Sequence, residues 1–115
     1  MSRFPMTLQN VTSDGVFVCS LPVPFACRIL GVRVMDAAGV AADNTNYVDA
    51  DITGTTGYDS RAANQGALTA GVALDLTLNR SVIIAAGGEL KASFAKGGSG
   101  QACKMGITWL LEPAN

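Results

Sequence analysis

The chain has 115 residues, 49% of them hydrophobic and 15% charged, with a formal net charge of −1 and no histidine. That length corresponds to one domain and can bury a core without metal or disulfide staples. The near-zero charge offers no field for a polyanion, the missing histidine excludes Ser-His-Asp and Cys-His catalysis, and no apolar run approaches the roughly 20 residues of a membrane-crossing helix.

From the N-terminus, residues 1–13 carry Phe4, Met6 and Leu8 in alternation. Pro5 cannot donate a ladder hydrogen bond, which restricts this segment to an edge strand or an extended arm. An apolar arm at a terminus is a natural contact for a neighbouring subunit. MSRFPMTLQN lacks the apolar core of a signal peptide, so the expectation is a protein made and used without secretion. The remainder, 14–115, reads as a single β domain. Asp14-Gly15 marks a turn before a strand at 15–21, and Pro22 and Pro24 force an extended connection.

ACRILGVRVMD supplies a strand at 27–36. Alternation places Leu30, Val32 and Val34 on one face and Ile29 on the other, with Gly31 marking a bulge or bend. Gly39 and Asp43-Asn44 are turn signals in a loop over 37–46. NYVDADIT alternates with Val48, Ala50 and Ile52 inward and Tyr47, Asp49 and Asp51 outward. Residues 54–71, rich in Gly, Thr and Ala, hold a short strand at 58–62. Strands follow at 72–78, 81–85, 89–95 and 102–111, punctuated by Gly87-Gly88 and the turn at 97–100. Leu74, Leu76, Phe94, Ile107 and Trp109 lead their apolar faces. Eight short antiparallel strands with regular turns predict a β-sandwich or a barrel, of which the jelly roll is one solution.

The residues offer little chemistry. No catalytic constellation, Walker loop or dinucleotide fingerprint is present. Asp43, Asn44, Asn46, Asp49 and Asp51 are rich in oxygens that a hard cation uses, but they lack EF-hand spacing. Asp49 and Asp51 are better read as the solvated face of a strand. No metal and no cofactor is expected. Cys19, Cys27 and Cys103 form no CxxC pair and read as small buried hydrophobes, with a Cys19–Cys27 bridge left open. The 15% charged fraction is low against about 25% in typical soluble domains. A surface partly covered by partners accounts for it, as does a small β domain with a neutral surface.

Three segments, VPFACRILGVRVMDAAG, TLNRSVIIAAGGELKASF and KMGITWLLEP, together cover about two fifths of the chain. Their pattern resembles the small jelly-roll decoration, or cement, proteins of tailed bacteriophage heads. The resemblance implies an all-β fold, an antiparallel β-sandwich of the eight-stranded jelly-roll type with a short N-terminal arm. It also implies a non-enzymatic virion protein on the capsid exterior. Its partners would be the major capsid protein and further copies of itself, as a dimer or trimer, with neither nucleic acid nor membrane. The jelly-roll reading assigns 72–78 and 89–95 to one sheet and 81–85 and 102–111 to the other. Partner-binding candidates are Arg3, Phe4, Met6 and Leu8 in the arm, with Tyr47 and Tyr58 beyond it. The loops at 37–46 and 54–71 complete the expected partner surface. The alternative is a receptor- or glycan-binding module of a head fibre or tail tip, using Tyr47 and Tyr58 as its aromatic platform.

Overall fold

A computed structural model describes residues 3–12, 17–79, 82–101 and 104–114, and among them the regular structure is entirely β. The strands are β1 (Phe4–Thr12), β2 (Phe17–Pro22), β3 (Cys27–Asp36), β4 (Tyr47–Ile52), β5 (Tyr58–Asp59), β6 (Leu74–Asp75), β7 (Ile83–Ile84), β8 (Glu89–Gly97) and β9 (Lys104–Pro113). They form two antiparallel sheets. One has the order β1-β9-β3-β6, with β7 also paired to β3, and the other has the order β2-β8-β4-β5.

This is jelly-roll topology. If β6 and β7 are counted as one interrupted strand, the two sheets read 1-8-3-6 and 2-7-4-5. The interruption is visible in the register. Asp75 pairs with Arg33 and Ile84 with Cys27, so both pieces run along the same edge of β3. Between them the chain leaves the sheet to close one end of the sandwich, where Leu78 bridges to Thr55 and Asn79 N–H donates to Gly54 C=O at 2.8 Å. Segments 81–85 and 102–111 therefore share a sheet as expected. Segments 72–78 and 89–95 do not, because 72–78 and 81–85 fill one strand position and 89–95 crosses to the opposite sheet.

Alternation was a reliable guide where strands are regular. Val48, Ala50, Ile52, Leu90, Ala92, Phe94, Met105, Ile107, Trp109 and Leu111 are all buried between the sheets. The Trp109 ring lies at the centre, and its Nε1–H donates to Thr53 C=O at 3.0 Å. A buried indole needs such a partner. β3 departs from simple alternation. Its register against β9 shifts between Ile29 and Gly31, where Leu30 is the extra residue of a bulge. The bulge returns Ile29 and Cys27 to the core face together with Val32 and Val34, so Ile29 is inward and not outward. Cys27 is a free, buried thiol, and no Cys19–Cys27 bridge forms. Burial raises its pKa above the ordinary thiol value. Cys103 and the Asp14-Gly15 turn lie outside the described residues.

The N-terminal segment is a strand rather than an arm. β1 is the edge of its sheet and pairs with β9 from Phe4↔Leu111 to Thr12↔Lys104, with an irregularity between Leu8 and Val11. Phe4, Met6 and Leu8 are half-buried and pack on the core, while Arg3, Pro5 and Thr7 face outward. The Phe4 ring also meets Phe25, with centroids 5.5 Å apart. The three apolar side chains expected to reach a neighbouring subunit are thus occupied within their own domain.

Candidate functional site

One end of the sandwich is built by three loops: 37–46 after β3, 60–73 after β5, and 98–101 before β9. Backbone pairing ties the first two together, with Val40 and Leu68 exchanging hydrogen bonds of 3.0 and 2.9 Å. Side chains supply the rest. The Gln101 amide accepts from Ala41 N–H at 3.1 Å and donates to Ala41 and Asn46 carbonyls at 2.9 and 2.8 Å. Asn46 Oδ1 accepts from Ser99 N–H at 2.9 Å, and Asn44 Oδ1 accepts from Ala62 N–H at 3.0 Å. Asp36, 1% exposed, holds the base of the end by accepting from the Ala38 and Lys104 amides, both at 2.9 Å.

Asp43 caps its own loop by accepting from Thr45 and Asn46 N–H at 2.7 and 2.9 Å. These bonds favour the carboxylate and lower its pKa, with Asn46 the larger cause. The Oδ1 atoms of Asp43, Asn44 and Asn46 therefore all accept from backbone amides. Asp49 and Asp51 point out from the sheet face instead. Among the described residues, no group of three or more His, Cys, Asp or Glu side chains converges in a way that would hold a metal ion.

What this end presents outward is rich in alanine, with Asp43 and Arg61 as partly exposed charges among its described residues. Ala37, Ala38, Ala41, Ala42, Ala62, Ala63, Ala67 and Ala70 are exposed along the first two loops, together with Val72. The backbone beneath them is held by the Asn, Asp and Gln network. Alanine loses no rotamer freedom on burial, so a partner pressed onto this surface orders little that is not already ordered.

A polar cluster adjoins it on the outer face of β4 and β5. Asp49 lies opposite Asp59 in the register. Asp59 is 8% exposed, and the Arg61 guanidinium binds both of its oxygens. Arg61 also lies 4.3 Å above the Tyr47 ring centroid, a cation–π contact. The Arg61 hydrogen bond pulls the Asp59 pKa below its ordinary value. Asp49 moves the other way, pushed up by desolvation first and by the Asp59 charge second. A carboxylate neutralised by Arg61 is poorly placed to serve as a free acid or base.

The sequence-derived candidates do not converge. Phe4, Met6 and Leu8 lie on the core face of β1, and Arg3 stands outside at its start. Tyr47 is half-exposed beneath Arg61. Tyr58 is 0% exposed, and its hydroxyl donates to Gly66 C=O at 2.6 Å. Tyr58 is thus a core residue that anchors the 60–73 loop, and an aromatic sugar platform loses one of its two members. The expected loops 37–46 and 54–71 do contribute, but Gln101, which ties the 98–101 loop to the first of them, gave no sequence signal. Its partners lie 55 and 60 residues away.

A third surface is the outer face of the five-stranded sheet. It carries two shallow grooves of ≈ 560 and ≈ 490 Å³ that share Arg33 and Thr108 as a common wall. Arg33 Nε binds Asp75 Oδ1 at 2.8 Å across this wall. No protein-family model, curated protein or solved structure matches the chain.

Proposed function

We propose that this jelly roll is a non-enzymatic structural protein of a virion, seated on the exterior of an assembled capsid and stabilising it. The loop end is the surface that meets the major capsid protein. The observation that carries this reading is the combination of a hydrogen-bonded loop framework with an exposed, alanine-rich surface that carries few charges. Interface centres are depleted in charge, and preorganised loops lessen the ordering cost of association. Among the described residues, the three loops present no large aromatic anchor, so each copy binds weakly. Repetition over a symmetric lattice then supplies the avidity. The jelly-roll fold and the resemblance to phage decoration proteins point in the same direction. Synthesis in the host cytoplasm and final residence on the capsid follow from this reading.

The test is co-sedimentation with capsids of the encoding virus prepared without this protein. Saturable binding is expected, together with a higher temperature of capsid disruption. Ala41→Glu and Ala62→Glu place charge on the loop end at exposed positions and are expected to weaken binding at least tenfold while leaving the circular dichroism spectrum unchanged. Binding unaffected by both substitutions, or no binding by the unaltered protein, overturns the assignment.

A further inference from the structure

We propose that two copies of this chain pair through the outer face of the five-stranded sheet, about a twofold axis that crosses the strands at Thr108. The face is organised around one transverse row. Thr7 is in register with Thr108, Thr108 with Arg33, and Arg33 with Asp75. The row is internally bonded, with the two threonine hydroxyls 3.0 Å apart and Arg33 on Asp75 at 2.8 Å.

On either side of this row the surface is complementary to itself. One step towards Lys104 lies the pair Met35↔Gly106, and one step towards Glu112 lies the pair Gly31↔Leu110. Met35 and Leu110 are exposed, at 43% and 38%. The two glycines are dimples: nothing lies within 4 Å of a Cβ built on Gly31, and the nearest atoms to one on Gly106 are 3.9 and 4.0 Å away. A half-turn about the row keeps β9 over β9 and β3 over β3 but exchanges the two levels. Leu110 of each copy then enters the groove floored by Gly106 of the other, and Met35 enters the groove floored by Gly31. Each groove receives one large side chain per partner.

The charges identify the occupant as a second copy. Lys104 and Glu112 stand at opposite ends of β9 on this face, about 26 Å apart at ~3.3 Å per residue, so they cannot pair within one chain. The same half-turn places Lys104 of each copy against Glu112 of the other. On the axis Arg33 faces Arg33 and Asp75 faces Asp75, and the Arg33–Asp75 bond within each copy keeps that set neutral. Such an isologous contact closes at two subunits, and sheets packed face to face align their strands within about 30°. The pairing uses the sheet face and overlaps the loop end only at Ala37 and Ala73, on the rim of the second groove.

Sedimentation velocity of the full chain across a concentration series tests this. A dimer is expected. Gly106→Arg fills the receiving groove from a position with room for a side chain and no positive φ, and it is expected to give a folded monomer. Lys104→Glu and Glu112→Lys are each expected to raise the dissociation constant at least tenfold, and the double exchange is expected to restore it to within about threefold. Glu112 also contacts Arg28 at 3.7 Å within its own chain, but loss of that contact would not be repaired by changing Lys104. A protein that stays monomeric at millimolar concentration, a trimer, a dimer indifferent to Gly106→Arg, or a double exchange that fails to restore pairing overturns the proposal.

Discussion

Asp49 and Asp59 are cross-strand neighbours whose carboxyl groups are driven in opposite directions. Asp59 is held as a carboxylate by Arg61, so its folded-state pKa lies below the ordinary value of about 3.9. Its contribution to stability is present above that ordinary value and is lost as pH falls through the folded-state pKa. For Asp49, desolvation and the Asp59 charge favour the protonated form. Its folded-state pKa lies above the ordinary value, so its ionisation disfavours the folded state at neutral pH. That penalty disappears as pH falls through the folded-state pKa towards the ordinary one. Two variants should therefore separate on an acid titration of the thermal midpoint. Asp49→Asn is expected to be more stable than the parent at pH 7, with the difference vanishing just above the ordinary carboxylate pKa. Asp59→Asn is expected to be less stable at pH 7 and to converge with the parent only below it. Convergence in the reverse order would contradict this account of the pair.

At the scale of elements, β3 shows how one residue decides which side chains are buried. Leu30 is the extra residue of the bulge, and it lets Cys27, Ile29, Val32 and Val34 all reach the core. Deleting Leu30 removes the bulge without moving the pairs on either side, since Ile29 already lies opposite Leu111 and Gly31 opposite Leu110. Cys27, Ile29, Val32 and Val34 would stay inward, and the deletion is expected to leave a cooperative denaturant titration. Deleting Gly31 as well removes a paired residue and shifts the segment before it by one position, which exchanges its two faces. Arg28 would turn inward, while Cys27 and Ile29 would turn to solvent. Loss of a buried Ile alone costs about 2–5 kcal/mol in truncation experiments, and an unpaired buried Arg adds to it. The double deletion is thus expected to be several kcal/mol less stable in denaturant titration than the deletion of Leu30 alone. This bulge also marks the limit of what alternation can reveal. β4, β8 and β9 follow period two without interruption, and their inward residues were legible from the chain alone. At Gly31 the glycine signalled a bulge or bend, but the direction in which Ile29 would turn depends on the pairing with β9. The split of β6 from β7 was hidden for a similar reason, since their common partner β3 is distant in the chain, with Arg33 and Asp75 separated by 42 residues. For the loop end, Gly39 and Asp43-Asn44 correctly marked a loop. The framework that makes it a surface comes from amide side chains such as Gln101 and Asn44 reaching distant backbone, which local spacing does not encode. Tyr58 was misread because its two-residue strand β5 is too short to show which side is buried.

At the scale of the whole molecule, the first strand and the last are partners. β9 is the inner strand between β1 and β3, and its Met105, Ile107, Trp109 and Leu111 are all 0% exposed. β1 covers one flank of that core with Phe4, Met6 and Leu8. A projecting arm would be dispensable for folding, whereas a strand in this place is not. Removing residues 1–12 takes away three packed apolar side chains, each worth up to about 1.5–3 kcal/mol when fully buried. It also bares the hydrogen-bonding edge of β9, an unprotected edge of the kind that invites aggregation. Domain stabilities are only about 5–15 kcal/mol, so the loss of one flank consumes much of the margin. The truncated chain is expected to be insoluble or to lack a cooperative thermal transition. A synthetic peptide of residues 1–13, added during refolding, should recover a cooperative transition by adding the missing strand to β9. The same peptide carrying Met6→Asp and Leu8→Asp should fail, because strand addition here depends on the inward apolar face as well as on backbone pairing. A truncated protein that melts at the parent's temperature would show that β1 contributes nothing to the closed sandwich, and the segment would then have to be an arm.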